Sequence, residues 1–239
     1  MHDDATRLAL WALRTTMRPL HSWSVSLEEA IRIQGELRNR VVLEKTLHEV
    51  KTIGGGDVAY SRSRDLLFGA VVVLSFPKME LLDMVRASGK TPFPYIPGLF
   101  SFREGPILIK IFKKLRQKPD VMIYDGQGIA HPRGLGLASH MGLWSNLPSI
   151  GCAKTPLIKP YTLPGPSKGS FEWIRINGEV VGAVLRTKDK VRPLFVSPGH
   201  LIDLMTSIQL ILSTCQNFRI PEPLRRAHQA SLEIRRQYQ

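Results

Sequence analysis

Cysteine is scarce in this sequence, and long apolar runs are absent. The 239 residues contain only Cys152 and Cys215, which are too few for a disulfide framework and belong to no Cys/His cluster with zinc-ligand spacing. We therefore expect two reduced thiols in a cytoplasmic protein. No apolar stretch reaches the roughly 18 residues that a membrane span needs. The first residues also lack the basic-then-apolar pattern of a secretory signal. We expect neither a span nor a signal.

Acidic residues are the minority among the charged ones. The chain has 33 Lys and Arg against 20 Asp and Glu, a net charge of +13. This excess favours a polyanionic partner such as nucleic acid but does not identify one, because many basic proteins bind acidic surfaces or lipid instead. The length suffices for a buried core, and no repeat or clear boundary divides the chain. We therefore expect one domain over residues 1–239.

Hydrophobic periodicity and turn residues predict the order of helices and strands. Residues 1–22 form an extension, in which residues 5–20 have an amphipathic helical pattern that ends near Pro19. Ser26 and Glu29 have the spacing of a capping box, which predicts a helix to about Val41 or beyond. Strands are predicted at 53–61, 66–76, 79–86, 121–124, 149–153, 172–176, 180–186 and 194–197. Further helices are predicted from Pro106 in a first turn to Leu115, from 137 to 146, from His200 to Cys215, and in the basic segment 221–239. This order fits an α/β domain with a mixed central sheet flanked by helices.

Three acidic residues occupy positions from which they could meet. Asp125 follows the apolar strand 121–124 and precedes Gly126, so we expect it at the carboxyl edge of a central strand, where open α/β sheets place their ligands. Asp57 lies in another predicted strand, and Glu104 lies just before a predicted helix, in phase with its apolar stripe. The competing interpretations are a turn-capping aspartate for Asp125 and ordinary surface ion pairs for all three acids.

Several short motifs, in this order along the chain, closely resemble the endonuclease V family, which are metal-dependent nucleases for deaminated adenine. The resemblance covers roughly residues 26–228 and implies a ribonuclease H-like fold. In that fold the first three strands are antiparallel and the fourth lies beside the first, so Asp57 and Asp125 would be neighbours. The matching residues are Asp57, Tyr95 to Gly98, Glu104, Asp125, Gly126, His131, Pro132, Leu137 to His140, and Lys154.

The resemblance implies an enzyme that recognises deoxyinosine in DNA and initiates repair. It would hydrolyse the second phosphodiester bond 3′ to the lesion and leave 3′-OH and 5′-phosphate ends. An endoribonuclease specific for inosine and a non-catalytic nucleic-acid-binding module of the same fold are the alternatives. The expected partner is therefore deoxyinosine-containing DNA or inosine-containing RNA, and the expected state is a monomer.

The resemblance also implies roles for the charged residues. Asp57, Glu104 and Asp125 would supply an all-oxygen site for Mg²⁺, with Mn²⁺ as a substitute. His228 resembles a residue of a C-terminal family motif and is a fourth candidate at the metal, although surface histidines on helices are common. Lys154 ends a predicted strand, where the family match implies a catalytic role and the default is a solvated lysine.

Two segments and one histidine are the candidates for contacts with the substrate. His131 is a catalytic candidate that could contact phosphate or a metal-bound water, or else order its own loop. One segment could act as a wedge between bases, although its composition alone suggests a proline-rich surface loop; it comprises Tyr95, Ile96, Pro97 and Gly98. The other segment would form the pocket for the extruded base; its candidates are Gly126, Leu137, Ser139 and His140.

Overall fold

The computed structural model describes residues 19–44, 46–47, 49–62 and 65–238. The helix predicted for residues 5–20 lies almost wholly outside these residues, and residues 19–22 are not helical. The described chain contains five α-helices, one 3-10 helix (Arg38–Arg40) and eight strands in a single sheet. The helices are α1 (Leu27–Leu37), α2 (Phe100–Phe112), α3 (Leu137–Ser145), α4 (Leu204–Thr214) and α5 (Glu222–Arg236). The strands are β1 (Thr52–Tyr60), β2 (Leu66–Ser75), β3 (Leu81–Lys90), β4 (Val121–Tyr124), β5 (Ser149–Ala153), β6 (Phe171–Ile176), β7 (Glu179–Leu185) and β8 (Leu194–His200).

The sheet is mixed, with the strand order β3-β2-β1-β4-β5-β8-β7-β6. Strand β2 is antiparallel to both β1 and β3, β4 pairs with β1 in parallel, and β5 continues the parallel part. Strand β8 is antiparallel to β5, and the β6–β7 hairpin extends the sheet beyond it. This is the ribonuclease H-like arrangement, and it confirms the prediction that the fourth strand lies beside the first.

The helices cover both faces of the sheet. On one face, Ile107 and Ile111 of α2 and Met141 of α3 pack in a cluster that includes Met122 and Tyr124 of β4. On the other face, residues of α4 and α5 pack in a second cluster that includes the alternate β4 residues, Val121 and Ile123. All four β4 residues are buried, as expected for a short apolar strand covered on both sides.

Three successive glycines in β1 let neighbouring groups approach this strand closely. A Cβ atom on Gly55 would lie 2.2 Å from the carbonyl oxygen of Pro223, at the start of α5. Cβ atoms on Gly54 and Gly56 would meet the side chains of Met122 and Tyr124 instead. The glycines therefore serve close packing on both faces of β1 rather than flexibility before Asp57.

Two helix predictions needed correction at their boundaries. Ser26 caps α1 as expected, with its Oγ accepting a hydrogen bond from the N–H of Glu29 at 3.2 Å. The helix ends at Leu37, its last buried residue, and continues only as an exposed 3-10 turn, so the extension to Val41 was wrong. Helix α2 begins at Phe100, which places Pro106 in its interior and not in its first turn. Burial of the preceding turn favours the longer helix despite the hydrogen bond that proline cannot donate.

Two strand predictions also needed correction. Strand β3 begins at Leu81 and not at Met79, because Met79 turns the chain with a φ of 61°. Strand β8 continues beyond the predicted 194–197 to His200, pairing with β5 across an irregularity in register. Pro198 is tolerated there because a bulge does not need every N–H. Helix α4 consequently begins later than expected, with Asp203 as its N-cap.

Neither cysteine is disulfide-bonded, and both are buried. Among the helices of the described residues, none combines the length and apolar character needed to cross a membrane.

Substitution of Gly55 by alanine should destabilise the protein. The added methyl would overlap backbone atoms of α5, which cannot rotate away, and overpacking of this kind costs about 1–3 kcal/mol. Chemical denaturation should show the loss in free energy of unfolding. Gly35→Ala is the matched control, because Gly35 is an exposed residue of α1 with no neighbouring atom within 4 Å of the added Cβ. There the same change should stabilise the helix by about 0.5–1 kcal/mol. Equal stability of Gly55→Ala and the wild type would contradict the packing role of Gly55.

Candidate active site

Two neighbouring parallel strands deliver two aspartates to one edge of the sheet. In the register of β1 and β4, Gly56 lies opposite Tyr124, and the N–H of Asp125 donates to the carbonyl of Gly56 at 3.3 Å. Asp57 and Asp125 are thus the next residues on adjacent strands. Because side chains alternate along a strand, Asp57 emerges on the same side as Gly55, which is the side covered by α5.

Helix α5 holds the carboxylate of Asp57. Its Oδ2 accepts a hydrogen bond from Ser231 Oγ at 2.7 Å and lies 3.2 Å from Nδ1 of His228. Ser231 is fully buried, and its Oγ also lies 2.9 Å from the carbonyl oxygen of His228. The hydrogen bond to Asp57 raises the pKa of His228, since it favours the charged imidazolium.

Glu104 approaches the aspartates from α2, on the opposite face of the sheet. It lies in the second turn of this helix and is buried. The hydroxyl of Tyr60, the last residue of β1, donates a hydrogen bond to Glu104 Oε1. Burial raises the pKa of Glu104 against the opposing effect of this hydrogen bond, and with the added effect of the charges of Asp57 and Asp125 the pKa reaches about 8.

Lys154, the residue after β5, forms an ion pair with Asp125 Oδ2. Burial raises the pKa of Asp125, as does the charge of Asp57, and together they outweigh the opposing effect of Lys154. Burial disfavours the charged form of Lys154, but its ion pair with Asp125 raises the pKa of the lysine overall. The ammonium group therefore stays protonated at neutral pH beside three carboxyl groups.

One cavity of about 390 Å³ contains most of the predicted site residues. Those that line it are Asp57, Tyr95, Gly98, Glu104, Asp125, Gly126, His131, Leu137 and Lys154. Five others do not line it: Ile96, Pro97, Ser139, His140 and His228. Of these five, His228 contacts the cavity residue Asp57 directly, as described above.

His131 is held as a neutral ring in the cavity wall. Its Nε2 donates to the carbonyl of Gly98 at 2.9 Å, and its Nδ1 accepts from the backbone N–H of Arg133 at 3.2 Å. Burial lowers the pKa of His131 to about 4, with a further contribution from Arg133. Its observed contacts therefore order the loop that contains Gly98.

Tyr95 projects at the rim of the cavity. Its ring is 45% exposed and lies 4.8 Å from the ring of Phe100 and 5.8 Å from that of Tyr60, measured between centroids. An exposed aromatic ring supported from behind by two others is suited to stacking on a base.

Ser139 and His140 lie in the interior behind the cavity. Both are fully buried in α3. His140 Nδ1 is 2.9 Å from Ser101 Oγ, and its Nε2 is 2.7 Å from Nε2 of His21. His140 thus contacts the cavity indirectly, through Ser101, which lines it.

Several polar residues of the site were not predicted from the sequence, and three of them contact its acids or its loop. Tyr60 bonds Glu104, Ser231 bonds Asp57, and Gln34 lines the cavity. Tyr60 and Asp57 share a strand, which is a weak local signal. Ser231 lies three residues after His228, one helical turn away, and this spacing could have suggested a shared contact. No local pattern distinguishes Gln34 from a surface glutamine.

The donor set suits a hard divalent cation. Asp57, Glu104 and Asp125 offer oxygen atoms only, which Mg²⁺ and Mn²⁺ prefer, and a cation would offset the repulsion among the three acids. The described partners engage one oxygen of each carboxylate. With the side chains so engaged, the described part of the chain contains no group of three or more His, Cys, Asp or Glu residues clustered closely enough to hold an ion. The residues fit the cation by their chemistry and their shared cavity.

Comparisons with known proteins agree on one family. The family model described as Endonuclease V matches residues 35–229. Endonuclease V of Dictyoglomus thermophilum is 49% identical over 201 residues, which cover 84% of this chain and 87% of that protein. The crystal structure of endonuclease V from Streptomyces avermitilis has a TM-score of 0.86 at 38% identity, covering 94% of this chain and 99% of that one. A variant of Ciona intestinalis endonuclease V in complex with a 23mer DNA containing an inosine followed by a ribo-adenosine has a TM-score of 0.81 at 30% identity, covering 90% of this chain and 100% of that one.

Removal of the Tyr60 hydroxyl should raise the pKa of Glu104 above about 8 in the metal-free protein. The hydroxyl donates to the ionised carboxylate, so its loss disfavours ionisation. Carbon-13 NMR titration of labelled glutamate carboxyl groups would measure the pKa in wild type and Tyr60→Phe. Tyr161→Phe is a matched control, since Tyr161 packs on Phe195 away from the cavity. A Glu104 pKa that is equal in Tyr60→Phe and wild type would show that the hydrogen bond does not stabilise the carboxylate.

Proposed function

The chain belongs to the endonuclease V family, and from this membership we propose that it is a metal-dependent endonuclease that recognises deoxyinosine in DNA. It hydrolyses the second phosphodiester bond 3′ to the lesion and thereby initiates repair. The observation that carries the proposal is the shared cavity in which Asp57, Glu104, Asp125 and Lys154 lie beside the exposed residue Tyr95. A binding protein would have no need to gather acids where a phosphate must approach.

Asp57, Glu104 and Asp125 are the residues that would hold Mg²⁺, or Mn²⁺ as a substitute, with His228 supporting Asp57. When bound, such an ion orients a water molecule, lowers the pKa of that water and neutralises charge on the phosphate.

The other charged residues act on the phosphate and on the ligands themselves. Lys154 carries a positive charge at the cavity and offsets negative charge that develops at the scissile phosphate. Ser231 and His228 fix the rotamer of Asp57 through its Oδ2. We call Tyr95 to Gly98 the wedge loop. His131, neutral and bonded to Gly98, supports this loop and takes no proton during the reaction.

The apolar part of the cavity accepts the extruded base. Tyr95 stacks at the lesion while Ile96 and Pro97 stiffen its loop, and Gly98, Gly126 and Leu137 form the pocket wall. Ser139 and His140 support that wall from behind. A close-fitting pocket rejects guanine because its 2-amino group finds neither space nor a hydrogen-bond partner.

The finer expectations belong to the same proposal. The protein works as a monomeric single domain in the cytoplasm, and its net charge of +13 favours binding of the nucleic-acid backbone. The Ciona intestinalis relative was crystallised with a ribo-adenosine after the inosine, so inosine-containing RNA is the second candidate substrate.

Substitution of Asp125 by alanine should abolish cleavage and retain lesion binding. Loss of a metal ligand removes several kcal/mol of transition-state stabilisation, about 10³-fold in rate. The assay uses Mg²⁺ and end-labelled strands: a duplex with one deoxyinosine, the undamaged duplex, and single-stranded RNA with one inosine. The wild type should nick only the deoxyinosine strand.

Glu179→Ala is the control for this assay, because it removes an exposed acid at the β6–β7 turn. Cleavage confined to RNA would assign the enzyme to inosine-containing transcripts. Failure to cut every strand, with Mn²⁺ also tried, would favour a binding module. Full turnover by Asp125→Ala would remove this residue from the mechanism.

Substitution of Tyr95 by alanine should weaken binding to deoxyinosine duplex more than to undamaged duplex. Stacking of a base on an aromatic side chain contributes about 1–3 kcal/mol, or about 5- to 150-fold in affinity. Fluorescence anisotropy with labelled duplexes in the presence of Ca²⁺ would measure both affinities. Tyr161→Ala is the matched control, since Tyr161 is 38% exposed against 45% for Tyr95. Equal losses on both duplexes would make Tyr95 a generic contact.

A further inference from the structure

One backbone carbonyl in the cavity wall accepts three hydrogen bonds. The oxygen of Gly98 receives Nε2 of Gln34 at 2.9 Å, Nε2 of His131 at 2.9 Å and Nη2 of Arg133 at 2.8 Å. A carbonyl has two lone pairs, so three donors saturate it. Gly98 has a φ of +80° and is the last residue of the wedge loop. The three donors therefore fix the position of the C-terminal end of this loop.

Of these three donor residues, Gln34 also connects the wedge loop to a second segment, at Leu135. Its other amide hydrogen reaches the carbonyl of Leu135 at 3.0 Å, and its Oε1 accepts a hydrogen bond from Nε of Arg133. The orientation of the amide is unambiguous, because both carbonyls require a donor and the guanidinium requires an acceptor. Both donors of Gln34 are therefore used, and its oxygen is engaged.

The two bridged segments both border the cavity. Gly98 closes the wedge loop, whereas Leu135 directly precedes Gly136 and Leu137, where α3 begins. Gly98, Gly136 and Leu137 all line the cavity, as does Gln34 itself. The Gln34 amide consequently sets the spacing between the wedge loop and the start of α3.

Packing of α1 does not require this amide. The buried face of α1 consists of Ala30, Ile33, Gln34 and Leu37, and Gln34 is its only polar member. The apolar members pack in one cluster with Phe102 and Leu135. An apolar side chain of the same length would serve that cluster, while a buried amide is costly unless fully hydrogen-bonded. The presence of an amide at position 34 is explained by its hydrogen bonds to the carbonyls of Gly98 and Leu135.

Resting on the proposed function, we propose that Gln34 is a specificity-determining positioning residue of the base pocket. It holds the wedge loop and the start of α3 at the separation that admits hypoxanthine and excludes the 2-amino group of guanine. A pocket rejects one extra group only if its walls cannot move apart. Without the amide the two segments can separate, and guanine gains access.

The test compares Gln34→Met with wild type in single-turnover cleavage. The substrates are duplexes with deoxyinosine or deoxyguanosine at the same position, with saturating Mg²⁺. The variant should cut deoxyinosine more slowly, and the ratio of deoxyinosine to deoxyguanosine cleavage should fall by on the order of tenfold. A merely structural role would lower both rates together and leave the ratio unchanged.

Thr214→Val is the control, because it removes a buried hydrogen bond in α4 away from the cavity. Its discrimination ratio should equal that of wild type. If Gln34→Met does not fold, Arg133→Lys provides a milder variant, since lysine lacks the Nε–H that bonds Gln34 and Arg133 is only half-buried. Arg133→Lys should also lower the ratio of deoxyinosine to deoxyguanosine cleavage.

The outcomes separate this inference from the proposed function. If wild type leaves deoxyinosine duplex uncut, the proposed function fails and the inference fails with it. If wild type cuts but a folded Gln34→Met keeps the wild-type ratio, the inference alone is overturned.

Discussion

Crowding of three carboxyl groups around one cavity is the constraint on which this structure depends. Burial, together with the smaller effect of the charges of Asp57 and Asp125, raises the pKa of Glu104 to about 8. Such an arrangement persists only where the surrounding fold holds each group in place. Tyr60 bonds Glu104, Lys154 bonds Asp125, and α5 bonds Asp57. The same crowding that costs stability makes the cavity suitable for a divalent cation.

The carboxyl groups of Asp57 and Glu104 come from opposite faces of the sheet. Asp57 leaves β1 on the side of α5, whereas Glu104 comes from α2 on the opposite side. Both acids reach one cavity because β4 ends at Tyr124, opposite Gly56, while β1 continues past it to Tyr60. Close approach of α5 to Gly55 brings Ser231 within 2.7 Å of Asp57. The glycine segment thus contributes to the site through packing.

The cavity joins two kinds of wall. Its charged wall is suited to a phosphate and a cation. In the wall around Gly98, Gln34, His131 and Arg133 instead hold a backbone carbonyl in a fixed position. His131 belongs to the second kind, since its lowered pKa keeps it neutral. Fixed dipoles and fixed walls discriminate between bases, while the charges act on the backbone that every nucleotide shares.

The sequence alone determined the order of strands and helices, the position of Asp125 at the end of a buried strand, and the family motifs that contain Asp57, Glu104 and Lys154. These follow from short-range patterns: apolar runs, turn residues and motif spacing. The boundaries of α2 and β8 did not follow, because burial and pairing with distant residues overrode Pro106 and Pro198. Only the tertiary structure decided that Tyr60, Ser231 and Gln34 contact the site. Tyr60 lies 44 residues from Glu104 along the chain, and Ser231 lies 174 residues from Asp57. Gln34 lies 64 residues from Gly98 and 101 residues from Leu135. A local pattern cannot identify the partner in a hydrogen bond across such a separation, because its geometry exists only once the sheet and helices have packed.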